Sequence, residues 1–216
     1  MKREQLESLH EIRSLMEKSS RFLSLSGLSG VSAGVIALIG AAVAFFYLEF
    51  DQRYFDINRY FYNGLHLKLQ QQIGFLVLDA IIVLVLALTV GVYFTTRKAK
   101  KKNLQVWNSA AKRMLINLFI PLIAGGLFCL ILLYHHIYFL IAPCTLIFYG
   151  LALLNASKYT LPDIRYLGIC EIALGIAGSF FIGYGLIIWA IGFGALHIVY
   201  GTAMYLKYER EVVVNK

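Results

Sequence analysis

Two residues of this chain combine a reactive side chain with an apolar setting. Glu171 lies in Gly168-Ile-Cys-Glu171-Ile-Ala-Leu-Gly175, and His197 lies in Gly194-Ala-Leu-His197-Ile-Val-Tyr-Gly201. In each segment a glycine precedes the titratable residue by three positions and another follows it by four, which puts all three on one helical face. Small residues on one face let helix backbones approach closely in lipid, so the glutamate and the histidine point into a bundle. A histidine titrates near neutral pH, and a carboxyl beside it makes a proton-handling or ligand-coordinating pair. The alternative is a hydrogen-bonded clamp that fixes helix register. Depth is consistent with contact in either case. Glu171 is six residues beyond Arg165, roughly 9 Å at 1.5 Å per residue, and His197 is ten residues before Lys207, roughly 15 Å from the same edge.

The elements that must position this pair are apolar helices. Of the 216 residues, 59% are hydrophobic and 15% charged, against about half and about a quarter in soluble domains. Six apolar stretches run over roughly Leu28–Leu48, Ile73–Thr95, Leu115–Tyr134, Ile137–Leu154, Tyr166–Ile182 and Leu186–Leu206. Each matches the length needed to cross a hydrocarbon core of about 30 Å. The expected fold is therefore all-α, a polytopic membrane protein with six transmembrane helices. Residues 1–27 are expected to form a cytoplasmic amphipathic helix, 28–206 the membrane domain and 207–216 a cytoplasmic tail. The acidic residues Glu4, Glu7, Glu11 and Glu17 argue against a cleaved signal at the start.

Lysine and arginine fall on alternate sides of these stretches. Residues 2–21 hold five, 97–113 seven, 158–165 two and 207–216 three. The other side holds three, Arg53, Arg59 and Lys68. A split of 17 to three predicts both termini in the cytosol. The net charge of +8 is thereby explained at membrane edges and does not call for nucleic acid. Lys100, Lys101 and Lys102, with Trp107 nearby, read as contacts to lipid headgroups.

The remaining polar positions are read in the same way. Asp79 lies roughly 9 Å below the external edge of the second span, as part of an external vestibule or as a satisfied interface carboxylate. The external loop Glu49–Gln72 mixes aromatic and charged residues, as an interface belt or a short capping helix does. Asn117 and Asn155 are expected to act as end caps or interhelical hydrogen bonds, and Pro121 and Pro143 each free a backbone carbonyl within a span. Gly30 and Gly34 form the tightest point of a small-residue stripe on the first span, and Gly168, Gly175, Gly194 and Gly201 line an expected hairpin of the last two. The first stripe offers a route to a homo-oligomer. Cys129, Cys144 and Cys170 sit within spans as small apolar packing residues. His135-His136 lacks the companions of a metal site, and no metal, cofactor or catalytic residue is expected from the motifs present.

The stretches EIRSLMEKSSRFLSLSGLSG and RYLGICEIALGIAGSFFIGYGLIIWAIGFGALHIVYG resemble a family of bacterial six-helix membrane proteins found chiefly in Bacteroidota. The likeness implies a bacterial inner-membrane setting and no particular activity. The glycine-rich C-terminal hairpin is also loosely similar to six-helix proteins of the HdeD type, which are linked to acid resistance. The expected function is a non-enzymatic scaffold or sensor that binds a protein partner at the cytoplasmic face. The alternative is a small transporter or channel moving a proton or small solute past Glu171 and His197.

Overall fold

The computed structural model describes residue 22 and residues 25–53, 64–102 and 106–210. The expected N-terminal amphipathic helix, the middle of the external loop (54–63) and the tail beyond 210 lie outside the described residues. Six helical rods follow in order: α1 Gly27–Arg53, α2 Gly64–Lys101, α3 Ser109–Tyr134, α4 Ile141–Ala156, α5 Ile164–Phe180 and α6 Gly185–Tyr208. Single 3-10 turns, Tyr138–Leu140 and Ser157–Tyr159, flank α4. Within α6, residues Ala190–Leu196 form a π segment. Among the described residues there are no strands.

Five of the rods are long and apolar enough to cross a membrane, counting α4 with its flanking turns. The sixth, α5, has 17 residues and a rise of about 26 Å. Their outward faces are apolar. Leu78, Ile82, Leu84, Val85, Leu88 and Val92 of α2 are all exposed, as are Ile116, Ile120, Ile123 and Leu127 of α3. Apolar surface on this scale is tolerated in lipid and not in water. The all-helical architecture and these apolar faces are consistent with a helical membrane protein.

The helices pack as a row with a thickened middle. α2 rests on α1, α1 on α6, and α6 meets both α4 and α5; α4 packs along α5 and also carries α3. Glycine decides which faces meet. At Gly201 an added Cβ would lie 2.5 Å from Val31 N and 2.8 Å from Gly27 O, and at Gly34 it would lie 2.6 Å from Gly194 O. At Gly168 it would lie 2.8 Å from Gly150 O, and at Gly175 2.8 Å from Pro143 O. The tight seams are thus α1 with α6 and α4 with α5. The expected glycine-lined seam between α5 and α6 is not what forms. Those two helices are joined through Gly183, at φ +95°, yet Gly168 and Gly175 of α5 face α4, while Gly194 and Gly201 of α6 face α1. The stripe through Gly30 and Gly34 is likewise covered by α6 of the same chain.

The prolines play unequal parts. Pro143 falls in the first turn of α4, where a backbone N–H has no helical partner to lose. Pro121 lies inside α3 and deprives the carbonyl four residues earlier, Asn117 O, of its donor. Asn155 Nδ2 donates to that same oxygen at 3.0 Å, so the gap in α3 is filled from α4. Asn155→Ala is therefore expected to cost about 1–3 kcal/mol, the penalty of an unpaired buried carbonyl. The double variant Asn155→Ala/Pro121→Ala should recover much of it, because the new N–H restores the helical bond. Thermal unfolding of the four proteins of this cycle in detergent checks it; an equal loss with and without Pro121 would refute the assignment.

Candidate functional site

His197 opens the last segment of α6, directly after the π segment, and Glu171 sits midway along α5. The two meet: His197 Nδ1 lies 3.4 Å from Glu171 Oε1. Glu171 is wholly enclosed, at 0% exposure, and His197 is 6% exposed. A third residue completes the group. Tyr149 of α4 brings its hydroxyl to 2.8 Å from His197 Nε2, with its ring stacked at 5.3 Å on the imidazole. Phe193 stacks beside the imidazole at 5.9 Å. Tyr149 and Phe193 also touch each other, with ring centroids 5.0 Å apart, so the three rings form one cluster.

Proton positions follow from the partners. His197 Nδ1 also lies 3.0 Å from Gly192 O, and a carbonyl only accepts, so Nδ1 carries the hydrogen. Nε2 of the neutral ring then accepts from the Tyr149 hydroxyl. This arrangement uses both imidazole nitrogens before Glu171 is considered. Both carboxyl oxygens of Glu171 are buried without a hydrogen-bond partner, and their closest polar approach is the longer contact to Nδ1. Such orphaned groups are rare in folded proteins. Gly192 supplies the space, because a Cβ there would lie 2.6 Å from Glu171 Oε2. The π segment supplies the Gly192 carbonyl that His197 meets; π turns interrupt the regular i to i−4 ladder and often occur at functional positions.

The paired glutamate and histidine were legible from spacing and depth. Tyr149 and Gly192 were not. Tyr149 is one of two adjacent aromatics on an apolar helix and lacks a flanking pattern, and Gly192 lies outside the repeated motif. The only advance signal was the glycine content of the segment Ile191–Gly194.

The other expected residues lie apart from this group. Asp79 is half-buried against α1, where its Oδ2 would be 3.4 Å from a Cβ placed on Gly40. Lys100, Lys101 and Lys102 are exposed at the end of α2, and Lys102 Nζ donates to Tyr208 O at 3.3 Å. Trp107 is exposed, with Lys112 Nζ 5.9 Å above its ring. Among the described residues no cluster of His, Cys, Asp or Glu could hold a metal ion. His135 and His136 form the α3–α4 turn, with His136 Nδ1 bonded to Tyr138 OH.

The basic end holds polar ties that sequence reasoning missed. Glu209 caps α1: Gly27 N–H donates to its Oε1 at 2.6 Å, and Ser26 Oγ donates to the same carboxylate. A carboxylate at a helix N-terminus meets both free N–H groups and the positive end of the helix dipole. Lys98, buried at the end of α2, reaches both Glu209, at 3.4 Å, and Leu25 O. One of the presumed orientation charges is therefore an internal fastener of α1, α2 and α6. Phe22 is bound to the α4–α5 connection by Phe22 N–H to Tyr159 O at 2.7 Å and Thr160 Oγ1 to Phe22 O at 2.7 Å. α6 continues through Lys207 and Tyr208, so the expected domain edge at 206 falls within a helix.

The chain matches no known protein family, no curated protein and no solved structure.

Asp163, at the start of α5, accepts from Lys207 Nζ at 3.0 Å and from Tyr208 OH. Partial burial alone would raise its carboxyl, but these hydrogen bonds and the Lys207 charge hold it below its ordinary value of 3.8. A depressed carboxyl contributes stability that is present above the unfolded value and lost as pH falls through the folded one. The unfolding midpoint in detergent is accordingly expected to drop on acidification below about pH 4, by less in Asp163→Asn. The difference should stay under about 1 kcal/mol, because the pair is partly solvated. Identical acid profiles would refute the contribution.

Proposed function

We propose that this chain is a six-span protein of the bacterial inner membrane, with both termini in the cytosol. It serves as a non-enzymatic scaffold or sensor that binds a protein partner at its cytoplasmic face. α5 counts as a span because its start lies beside the end of α6, through Asp163, Lys207 and Tyr208, which keeps every basic connection at one end. The observation that carries the reading is the enclosure of Glu171. A solute path needs a wet approach to its polar groups. Two cavities, of about 740 and 310 Å³, are lined by other residues. The Tyr149–His197 hydrogen bond serves as a clamp between α4 and α6, with Glu171 of α5 packed 3.4 Å from the same imidazole. The ties among Phe22, Lys98, Asp163, Lys207 and Glu209 favour a fixed cytoplasmic face, the kind of platform on which a partner docks without reordering cost.

Photo-crosslinking in cells tests the docking face. A crosslinker at Lys112 should give a discrete protein adduct, and one at Tyr184 on the opposite end should not; adducts at Tyr184 alone would sink the reading. The second reading, proton movement, is favoured by the unpartnered oxygens of Glu171. Liposomes carrying the protein are expected to show no proton flux above empty ones, whether wild type, Glu171→Gln or His197→Ala. A flux in wild type that disappears in both variants would replace the clamp with a conduit.

A further inference from the structure

Between α3 and the α4–α5 connection lies a groove of about 740 Å³. Its walls are Pro121 of α3 and Phe148, Leu151 and Leu154 of α4, and its rim at the basic end carries Lys158 and Arg165. We propose that this groove binds one anionic glycerophospholipid of the cytoplasmic leaflet. The phosphate sits between Lys158 and Arg165, and one acyl chain runs along Leu154, Leu151 and Phe148. The proposal rests on the reading given above that the helices span a bilayer with the basic end in the cytosol.

Length, charge and rigidity support it independently. From Phe148 to Lys158 the chain rises about 15 Å, half of a hydrocarbon core of about 30 Å, so the apolar wall is one leaflet deep. Both rim cations are exposed, and among the described residues neither has an ion-pair partner. The carboxylate that lies between them in sequence, Asp163, is already engaged by Lys207 and Tyr208. Lys98 is engaged with Glu209, Lys207 with Asp163 and Lys102 with a carbonyl. The walls are held apart by fixed contacts. Gly150 and Gly168 bring α4 against α5 on one side, a Cβ on Gly125 would strike Phe148 on the other, and the bond from Asn155 to Asn117 O ties α4 to α3. The neighbouring cavity between α1 and α6 is lined by aliphatic and aromatic residues alone, among them Leu38, Phe45 and Ile187, and lacks a headgroup site. Basic pockets between spans on the cytoplasmic side suit anionic headgroups.

The test is native mass spectrometry of the full chain in detergent with phosphatidylglycerol or phosphatidylcholine of the same acyl chains. Wild type should retain the anionic lipid about tenfold better, equivalent to about 1.4 kcal/mol. Lys158→Ala/Arg165→Ala should bring the ratio near one, Leu151→Trp should reduce retention of both lipids by filling the groove, and Arg97→Ala/Arg210→Ala, which removes two exposed charges of the same end outside the groove, should leave the ratio unchanged. Equal retention of the two lipids by wild type, or an unchanged ratio in Lys158→Ala/Arg165→Ala, would overturn the proposal. So would displacement of the lipid by equimolar glycerol phosphate, which would make the site a reader of free phosphate. The membrane reading fails separately, if the purified chain stays in solution without detergent before any lipid is added.

Discussion

Gly201→Ala is expected to lower the stability of the detergent-solubilised protein by about 1–3 kcal/mol, and Gly201→Leu to remove the folded form from membrane extracts. An added Cβ would lie 2.5 Å from Val31 N, 2.8 Å from Gly27 O and 2.9 Å from Gly30 C. These are backbone atoms of α1, so no rotamer change relieves the clash. The helices must separate, and separation also strips Gly27 and Gly34 of their contacts and pulls Glu209 from the α1 N-terminus. Gly126→Ala and Gly91→Ala are the controls. A Cβ at either meets nothing within 4 Å, and alanine is the better helix former, so both should unfold at or above the wild-type temperature. Thermal unfolding followed by size-exclusion recovery separates the two classes. A Gly201→Ala protein as stable as Gly126→Ala would refute close α1–α6 packing.

The second large effect is an asymmetry inside the buried group. His197→Ala should cost at least about 1–3 kcal/mol, the penalty for leaving a buried hydrogen-bonding group unpaired. It takes away the closest polar neighbour of the Glu171 carboxyl and also strands the Tyr149 hydroxyl and Gly192 O. Glu171→Leu should cost far less, because His197 keeps its bonds to Gly192 O and Tyr149 OH while two unpaired oxygens leave the interior. Replacing a buried ionisable group by an apolar residue of similar volume is often neutral or stabilising. In the double variant the histidine loss should shrink, giving a coupling energy of about 0.5–3 kcal/mol. Equal and additive losses for His197→Ala and Glu171→Leu would refute the geometry. A chain that keeps a group costing it stability, where leucine would serve packing better, keeps it for another reason. That is why Glu171→Gln belongs in every functional comparison, since it preserves shape while removing the acid.

Helix existence and type were plain in the sequence, because a bilayer leaves few choices. A segment of about 20 apolar residues in lipid must satisfy its own backbone hydrogen bonds, and a helix does so locally. The periodicity that put Glu171 and His197 on inward faces is local too, and depth counted in residues brought them to a common level. Neighbour choice was not local. Gly168 and Gly194 occupy equivalent motif positions on consecutive helices, yet one faces Gly150 of α4 and the other faces α1, because shape matching between non-consecutive rods outweighed adjacency along the chain. Tyr149 became a partner of His197 for the same reason: α4 is wedged against both α5 and α6. Asn155 and Pro121 are 34 positions apart in number, and only packing shows that one repairs the gap left by the other. Lys98 and Glu209 look like solvated charges in sequence and become a buried fastener once three helix ends converge. Composition and period determined that helices form, where they run and which residues face inward; which inward faces meet was decided by backbone-to-backbone fit in three dimensions, a property of the assembled set that no single segment carries.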